Sequence, residues 1–219
     1  MLILIFLILI ILIYIFSLNN IKNVYFLLFE FTKNQKITKI LISALFLPGT
    51  ILHELSHFFA AIALFLNVRG LEIFPKFESD QIKLGSVLYD KKDPVRGVLV
   101  GIAPIFGALG CFFAISYFNL FPSSNLLLNI ILIYLFFTIS STMFSSKQDL
   151  VDLIYIIPFI LVFLLIKYLF QINITFSIKN QVILNALTLF LEKTNQMLLI
   201  SLLIHIILLI LSTILLRKK

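Results

Sequence analysis

The sequence predicts an all-α membrane protein, a polytopic bundle of about six transmembrane helices with a small β-hairpin between the second and third spans. Two observations lead to this fold class. Hydrophobic residues make up 61% of the 219-residue chain and charged residues 12%, with a mean hydropathy of +1.14, which leaves little material for a soluble domain. The apolar residues also fall into runs of membrane-crossing length, separated by short polar stretches.

The first two predicted spans carry the N-terminal third of the chain. Residues 1–18 form an apolar run without a basic start or a small-residue cleavage site, so we expect an uncleaved span. Residues 19–39 mix four lysines with apolar side chains and are either an interfacial helix or a loop. The second span, residues 40–66, contains Pro48-Gly49, which is expected to kink the helix. The kink is either an ordinary one for a membrane helix, or it sets the following segment at an angle and opens space beside it.

The segment from Asn67 to Arg96 is the one long polar stretch of the sequence, and it predicts the hairpin. Two short runs of alternating apolar residues are punctuated here by Gly70, Pro75 and Gly85, a pattern typical of paired strands. An edge strand at this place would be able to pair with an extended peptide.

The remaining spans are predicted at 98–121, 126–144, 151–170 and 197–216, with residues 171–196 at the surface. Small residues and Pro104 in the third span favour close packing and a bend. Hydroxyl side chains at the end of the fourth span are expected to face inward; these are Thr138, Ser141, Thr142 and Ser145. The chain is expected to divide into an N-terminal part (1–39), a central core (40–152) and C-terminal spans (153–219).

Charge distribution predicts the orientation. The formal net charge is +7, which in a membrane protein reflects cytoplasmic lysines rather than nucleic-acid binding. With the N-terminus inside, the cytoplasmic segments hold ten basic residues and the opposite side six, so this orientation is favoured. We expect an integral, multi-pass protein of the plasma membrane, with the lipid bilayer as its environment and no nucleic-acid partner. The sequence carries no indication of its oligomeric state.

The run His53-Glu54-Leu55-Ser56-His57 is the strongest chemical signal in the chain. Residues four apart share one face of a helix, so His53 and His57 are able to bind the same metal ion. Glu54 follows the first histidine and is able to act as general base toward a metal-bound water. Ionisable groups inside a membrane span are costly, which favours a functional role for all three.

A catalytic zinc ion requires three protein ligands and one open position. Outside residues 67–97 the chain has five acidic residues, and Glu54 is assigned as the base. Glu30 and Glu192 fall on the opposite side of the membrane in the predicted orientation. Asp149 and Asp152 remain, on the same side as the motif. Asp149 is the preferred third ligand because it is nearer the hydroxyl-rich face of the fourth span, and Asp152 is the reserve. His205, in the middle of the sixth span, is predicted to be a neutral interior histidine rather than a ligand.

The sequence resembles a known family at this point. Four features carry the resemblance: the run Pro48-Gly49-x-x-x-His53-Glu54-Leu55-Ser56-His57, the β-rich segment after it, Gly101-x-Ala103-Pro104 and a late aspartate. Together they resemble the site-2 protease-like intramembrane zinc metallopeptidases, above all their compact members. The resemblance covers residues 40–152. It implies one Zn²⁺ per chain held by His53, His57 and Asp149, catalysis by Glu54, and regulated cleavage of membrane-anchored protein substrates near the cytoplasmic face. Where the family has glycine after the aspartate, this chain has Leu150.

Two other interpretations are compatible with the sequence. One is a membrane metalloprotease whose motif helix opens to the cytosol and takes a downstream glutamate as third ligand, for which Glu72, Glu78 and Glu192 are available. The other is a non-enzymatic membrane scaffold or transporter-like protein with a vestigial motif. Replacement of Glu54 by Gln discriminates between an enzyme and a scaffold.

Overall fold

The structure is a computed structural model that describes residues 1–73, 76–77, 82–83, 85–90, 92–144, 153–170 and 181–217. Helices and four short strands make up this described part. In chain order they are α1 (Leu2–Thr32), α2 (Gln35–Ala63), β1 (Val68–Glu72), β2 (Lys76–Phe77), β3 (Ile82–Lys83), β4 (Ser86–Tyr89), α3 (Pro94–Tyr117), α4 (Leu126–Thr142), α5 (Leu153–Leu169) and α6 (Gln181–Arg217).

The predicted membrane all-α class fits this architecture. Among the described residues four helices are long and apolar enough to cross a membrane, namely α1, α2, α3 and most of α6, and α4 is a shorter apolar helix of 17 residues. Large apolar side chains are exposed along the outer faces of these helices, as expected for surfaces that meet lipid. The chain is therefore a membrane protein. The number of crossings and the cellular membrane are predictions.

The first helix is longer than the sequence predicts. Residues 19–32, expected to be an interfacial helix or a loop, continue α1 without a break, and Asn34 caps the start of α2 by accepting hydrogen bonds from the amides of Lys36 and Ile37. The polar residues that suggested an end of the helix have partners inside the protein. Asn20 is buried and contacts His205, and Asn23 donates to Ser212.

The last helix also extends beyond the prediction. Residues 181–196, expected at the surface, form the first turns of α6, where Thr194 and Asn195 are buried. Three contacts pair α6 with α1, joining Asn195 to the carbonyl of Leu2, His205 to Asn20 and Ser212 to Asn23. Their residue numbers rise together, so α1 and α6 run in the same direction. Six successive crossings would give the first and sixth spans opposite directions, and the six-span count is accordingly not confirmed.

His205 lies at the centre of a buried polar network, as predicted for an interior histidine. The side chain is fully buried, with Nδ1 2.9 Å from Nδ2 of Asn20 and Nε2 2.9 Å from Oγ of Ser140. These contacts join α1, α4 and α6 in a region otherwise packed with Leu, Ile and Phe side chains. A polar group buried without partners would be expensive, so the network both satisfies His205 and fixes how the three helices meet.

Helices α2 and α4 lie side by side and run in the same direction. Tyr134 donates to the carbonyl of Leu45 at 2.7 Å, and one turn later the backbone of Gly49 lies against that of Thr138. At Gly49 no space opens toward α4, and an opening beside the segment that carries the histidines stays a prediction. A Cβ atom at position 49 would collide with the Thr138 carbonyl and the Thr142 hydroxyl, so the glycine instead allows the two helices to touch.

The polar segment between α2 and α3 forms two antiparallel strand pairs, which confirms a small β element there. β1 pairs with β4 and β2 with β3, with a register irregularity between Val68 and Gly70. An ion pair, Arg69 with Asp90 at 2.6 Å, joins β1 to the residue that follows β4. Val68 and Tyr89 pack on a small apolar cluster formed by α2, α3 and Leu66. This packing holds the β1–β4 pair beside the C-terminal end of α2.

Candidate metal centre

The histidines of the motif meet on one face of α2, as their spacing predicts. Nε2 of His53 lies 3.1 Å from Nε2 of His57, with the two rings nearly perpendicular at 83°. His57 is buried, His53 is half-buried, and Glu54 between them is 8% exposed. The last four turns of α2 thus place two nitrogen donors and one carboxylate in a largely enclosed region next to α3 and α4.

Each ring is oriented by a backbone carbonyl from a neighbouring helix. Nδ1 of His53 lies 2.6 Å from the carbonyl oxygen of Thr142, and Nδ1 of His57 lies 2.8 Å from that of Val100. Thr142 is the last residue of α4, where carbonyls have no amide partner within the helix. A carbonyl oxygen only accepts, so both Nδ1 atoms carry hydrogen and donate to these oxygens.

This assignment leaves a lone pair on each Nε2 atom of a neutral ring. Two lone pairs 3.1 Å apart repel each other, and a positive particle between them, a proton or a metal ion, turns the contact into an attractive one. In a tetrahedral zinc site with Zn–N distances of about 2.0–2.1 Å, two ligand nitrogens stand about 3.3–3.4 Å apart. The arrangement of the two rings therefore fits a metal ion after an adjustment of a few tenths of an ångström.

Glu54 is covered by Gly85, the residue before β4. The backbone of Gly85 lies against the carboxylate side chain so closely that a Cβ atom at position 85 would stand 2.9 Å from Oε1 and from Cδ of Glu54. Only glycine fits this approach without moving the glutamate. Ser86 follows in the chain, and its buried hydroxyl has no hydrogen-bond partner among the described residues. The residues around β4 therefore contact the motif. The sequence does not reveal this contact, because about thirty residues separate Gly85 from Glu54 along the chain.

The end of α2 is held by two basic side chains that follow β4 in the chain, Lys92 before α3 and Arg96 in its first turn. Arg96 donates to the carbonyl of Leu64 at 3.3 Å and Lys92 to that of Phe65 at 2.9 Å. These positive groups lie at the negative end of the α2 dipole, which favours them there. They hold the chain just beyond the end of α2, so the β1–β4 pair keeps a fixed position relative to His57.

The hydroxyl-rich face of α4 is directed inward, as predicted. Thr138 and Ser141 are buried and Thr142 is half-buried; Ser145 lies outside the described residues. The hydroxyl groups bond to carbonyls of their own helix, one turn back. The contact that reaches the motif is made by the Thr142 carbonyl, a backbone group that side-chain patterns do not predict.

Asp149 and Asp152, the predicted third ligand and its reserve, lie outside the described residues. Within the described residues no group of three or more His, Cys, Asp or Glu side chains is placed to hold a metal ion. His205 takes its place in the polar network with Asn20 and Ser140, and its ring is not paired with those of His53 and His57. The described part of the candidate centre therefore consists of His53, His57 and Glu54.

The chain was compared with known proteins in three ways. No protein-family model, no curated protein and no solved structure matches it.

Proposed function

We propose that the protein is a zinc-dependent intramembrane endopeptidase that cleaves membrane-anchored protein substrates near the cytoplasmic face. The observation that carries the proposal is the pair of facing Nε2 atoms on His53 and His57, each ring held by a carbonyl through Nδ1. Carbonyl-anchored histidines are the usual ligands of catalytic zinc, because the anchor fixes the tautomer that presents the lone pair. The buried carboxylate of Glu54, the residue after His53, supplies the matching base.

Asp149 is proposed as the third ligand. It lies seven positions after Thr142, whose carbonyl already contacts His53. A chain of that length reaches up to about 25 Å when extended, so the connection permits a return to the histidines. Asp152 is the reserve on the same argument. Both aspartates follow in sequence on α4, the helix whose last residue already contacts His53.

The chemistry follows from these groups. When bound, zinc lowers the pKa of a coordinated water to about 7 and polarises the carbonyl of the scissile peptide. Glu54 accepts the proton of the attacking water and delivers it to the leaving amine, so the carboxylate returns to its starting state. The β1–β4 pair lies beside Glu54 and offers backbone groups to hold an unwound substrate segment in an extended form.

Metal content tests the proposal. Full-length protein purified in detergent is expected to carry about one zinc ion per chain, lost in Asp149→Ala and retained in Asp152→Ala. Loss in Asp152→Ala alone would move the third ligand to that residue. Wild-type protein that takes up no zinc, even when supplied with it, would overturn the proposed zinc-enzyme function. That result would favour a non-enzymatic scaffold with a vestigial motif.

Substitution of Gly85 tests whether the β segment supports catalysis. A methyl group at this position must push the carboxylate of Glu54 aside, and displacement of a catalytic group by about 1 Å costs on the order of 100-fold in rate. Gly85→Ala is expected to lower the cleavage rate by about tenfold or more, since the shift of the carboxylate is about 1 Å or smaller. The zinc content is expected to stay unchanged. Gly70→Ala is the matched control, because a Cβ atom there meets nothing within 4 Å. Equal rates in both variants would contradict the proposed role of this contact.

A further inference from the structure

The carbonyl that orients His57 lies inside a helix. Val100 is in the first half of α3, which runs from Pro94 to Tyr117, and its oxygen accepts from Nδ1 of His57 at 2.8 Å in a buried contact. Within an α-helix a carbonyl is normally taken by the amide four residues later. A side chain from another helix must then compete with that amide or share the oxygen with it.

The residue four positions after Val100 is Pro104. Proline has no amide hydrogen, and its ring also pushes away the carbonyl four residues earlier. Pro104 lies inside α3 and its side chain is fully buried. The sequence position of this proline therefore leaves one specific carbonyl of α3 without its helical donor, and that carbonyl is the one that His57 contacts.

We propose that Pro104 is a positioning residue for the metal centre, which frees the Val100 carbonyl so that it holds His57 with the hydrogen on Nδ1 and the lone pair on Nε2. The bend that proline introduces is a secondary effect. An alanine at position 104 would restore an amide hydrogen, which competes with His57 for the same oxygen. The ring of His57 would then lose its anchor and sample the tautomer that carries hydrogen on Nε2, the atom that faces His53.

The effect on zinc rests on the proposed function, whereas the hydrogen bond from His57 to Val100 does not. Loss of the group that orients a metal-bound histidine typically weakens metal binding by about 10- to 100-fold. Pro104→Ala is expected to weaken zinc binding by about that factor while the helix itself gains a hydrogen bond. A proline with a purely structural role would change thermal stability without changing the tautomer of His57.

The test uses full-length, metal-free protein in detergent micelles, with the ring nitrogens of histidine labelled with ¹⁵N and the His57 signals assigned by their loss in His57→Gln. Wild type and the control Pro158→Ala, whose proline lies in α5, are expected to show hydrogen on Nδ1 of His57. Pro104→Ala is expected to show a shift toward hydrogen on Nε2. Competition with a chelator then measures zinc affinity in all three proteins.

Two results would overturn the inference. One is a wild-type His57 with its hydrogen on Nε2, which is decisive even if Pro104→Ala does not fold. The other is Pro104→Ala with an unchanged tautomer and a zinc affinity within about twofold of wild type, against the 10- to 100-fold expected. A backbone ester at position 104, which lacks the amide hydrogen as proline does, should restore the wild-type tautomer. If wild type binds no zinc, the proposed function fails, and the tautomer still decides the role of Pro104.

Discussion

Replacement of Glu54 by Gln is expected to abolish peptide hydrolysis and to leave zinc bound. The amide has the size of the carboxylate, so it keeps the packing against Gly85, but it cannot accept the proton of the attacking water. Loss of a general base typically lowers the rate by about 10²–10⁴-fold, which places residual cleavage near the detection limit of a gel assay. The measurement is cleavage of a reconstituted membrane-anchored substrate, with zinc determined in the same samples.

Glu192→Gln is the matched control for this variant. Glu192 is an exposed glutamate on α6, so its replacement changes the charge by the same amount away from the motif. The control is expected to cleave at the wild-type rate. Full activity in Glu54→Gln would show that this residue is not the general base. A wild type that binds zinc but cleaves no membrane-anchored substrate would contradict the proposed reaction.

The second large effect is expected at the histidines. His57→Ala should lose nearly all bound zinc, because it removes one of two nitrogen donors together with the ring that the Val100 carbonyl orients. His53→Ala should do the same through the loss of the ring held by Thr142. Zinc per folded chain, measured after removal of weakly bound metal, reports both changes.

His205→Gln separates a ligand from an interior histidine. The amide of glutamine is able to bond with Asn20 or Ser140, so the buried network that joins α1, α4 and α6 is retained in part. We expect this variant to melt at a lower temperature and to keep its zinc. Zinc loss in His205→Gln with retention in His57→Ala would reverse the assignment of the two histidines.

The motif was predictable because its chemistry is local. Two histidines four residues apart share a helix face in almost any context, so the meeting of His53 and His57 followed from spacing alone. The small β element followed from alternating residues between glycines, and the pairing of β1 with β4 agrees with it.

The helix ends were less predictable because distant partners decide them. Asn20 and Asn23 resemble a polar boundary in the sequence, but hydrogen bonds to His205 and Ser212 let α1 continue through both positions. The contact of Gly85 with Glu54 also joins residues far apart in the chain. Because glycine has no side chain, the sequence pattern does not indicate this contact. The carbonyl groups of Val100 and Thr142 are backbone atoms, which every residue possesses. For Val100 one signal was available, the proline four positions later.

The pairing of α1 with α6 has a consequence for biosynthesis. Asn20 enters the membrane early with the first helix, but its partner His205 lies 185 residues further along the chain. At about 5–20 residues per second, the ribosome needs roughly 10–40 s to make that partner. During this interval a polar face of α1 must stay shielded by water, lipid headgroups or the insertion machinery, since exposure to hydrocarbon is costly. The buried partner of Asn20 on α6 is therefore available only once the last helix has been made.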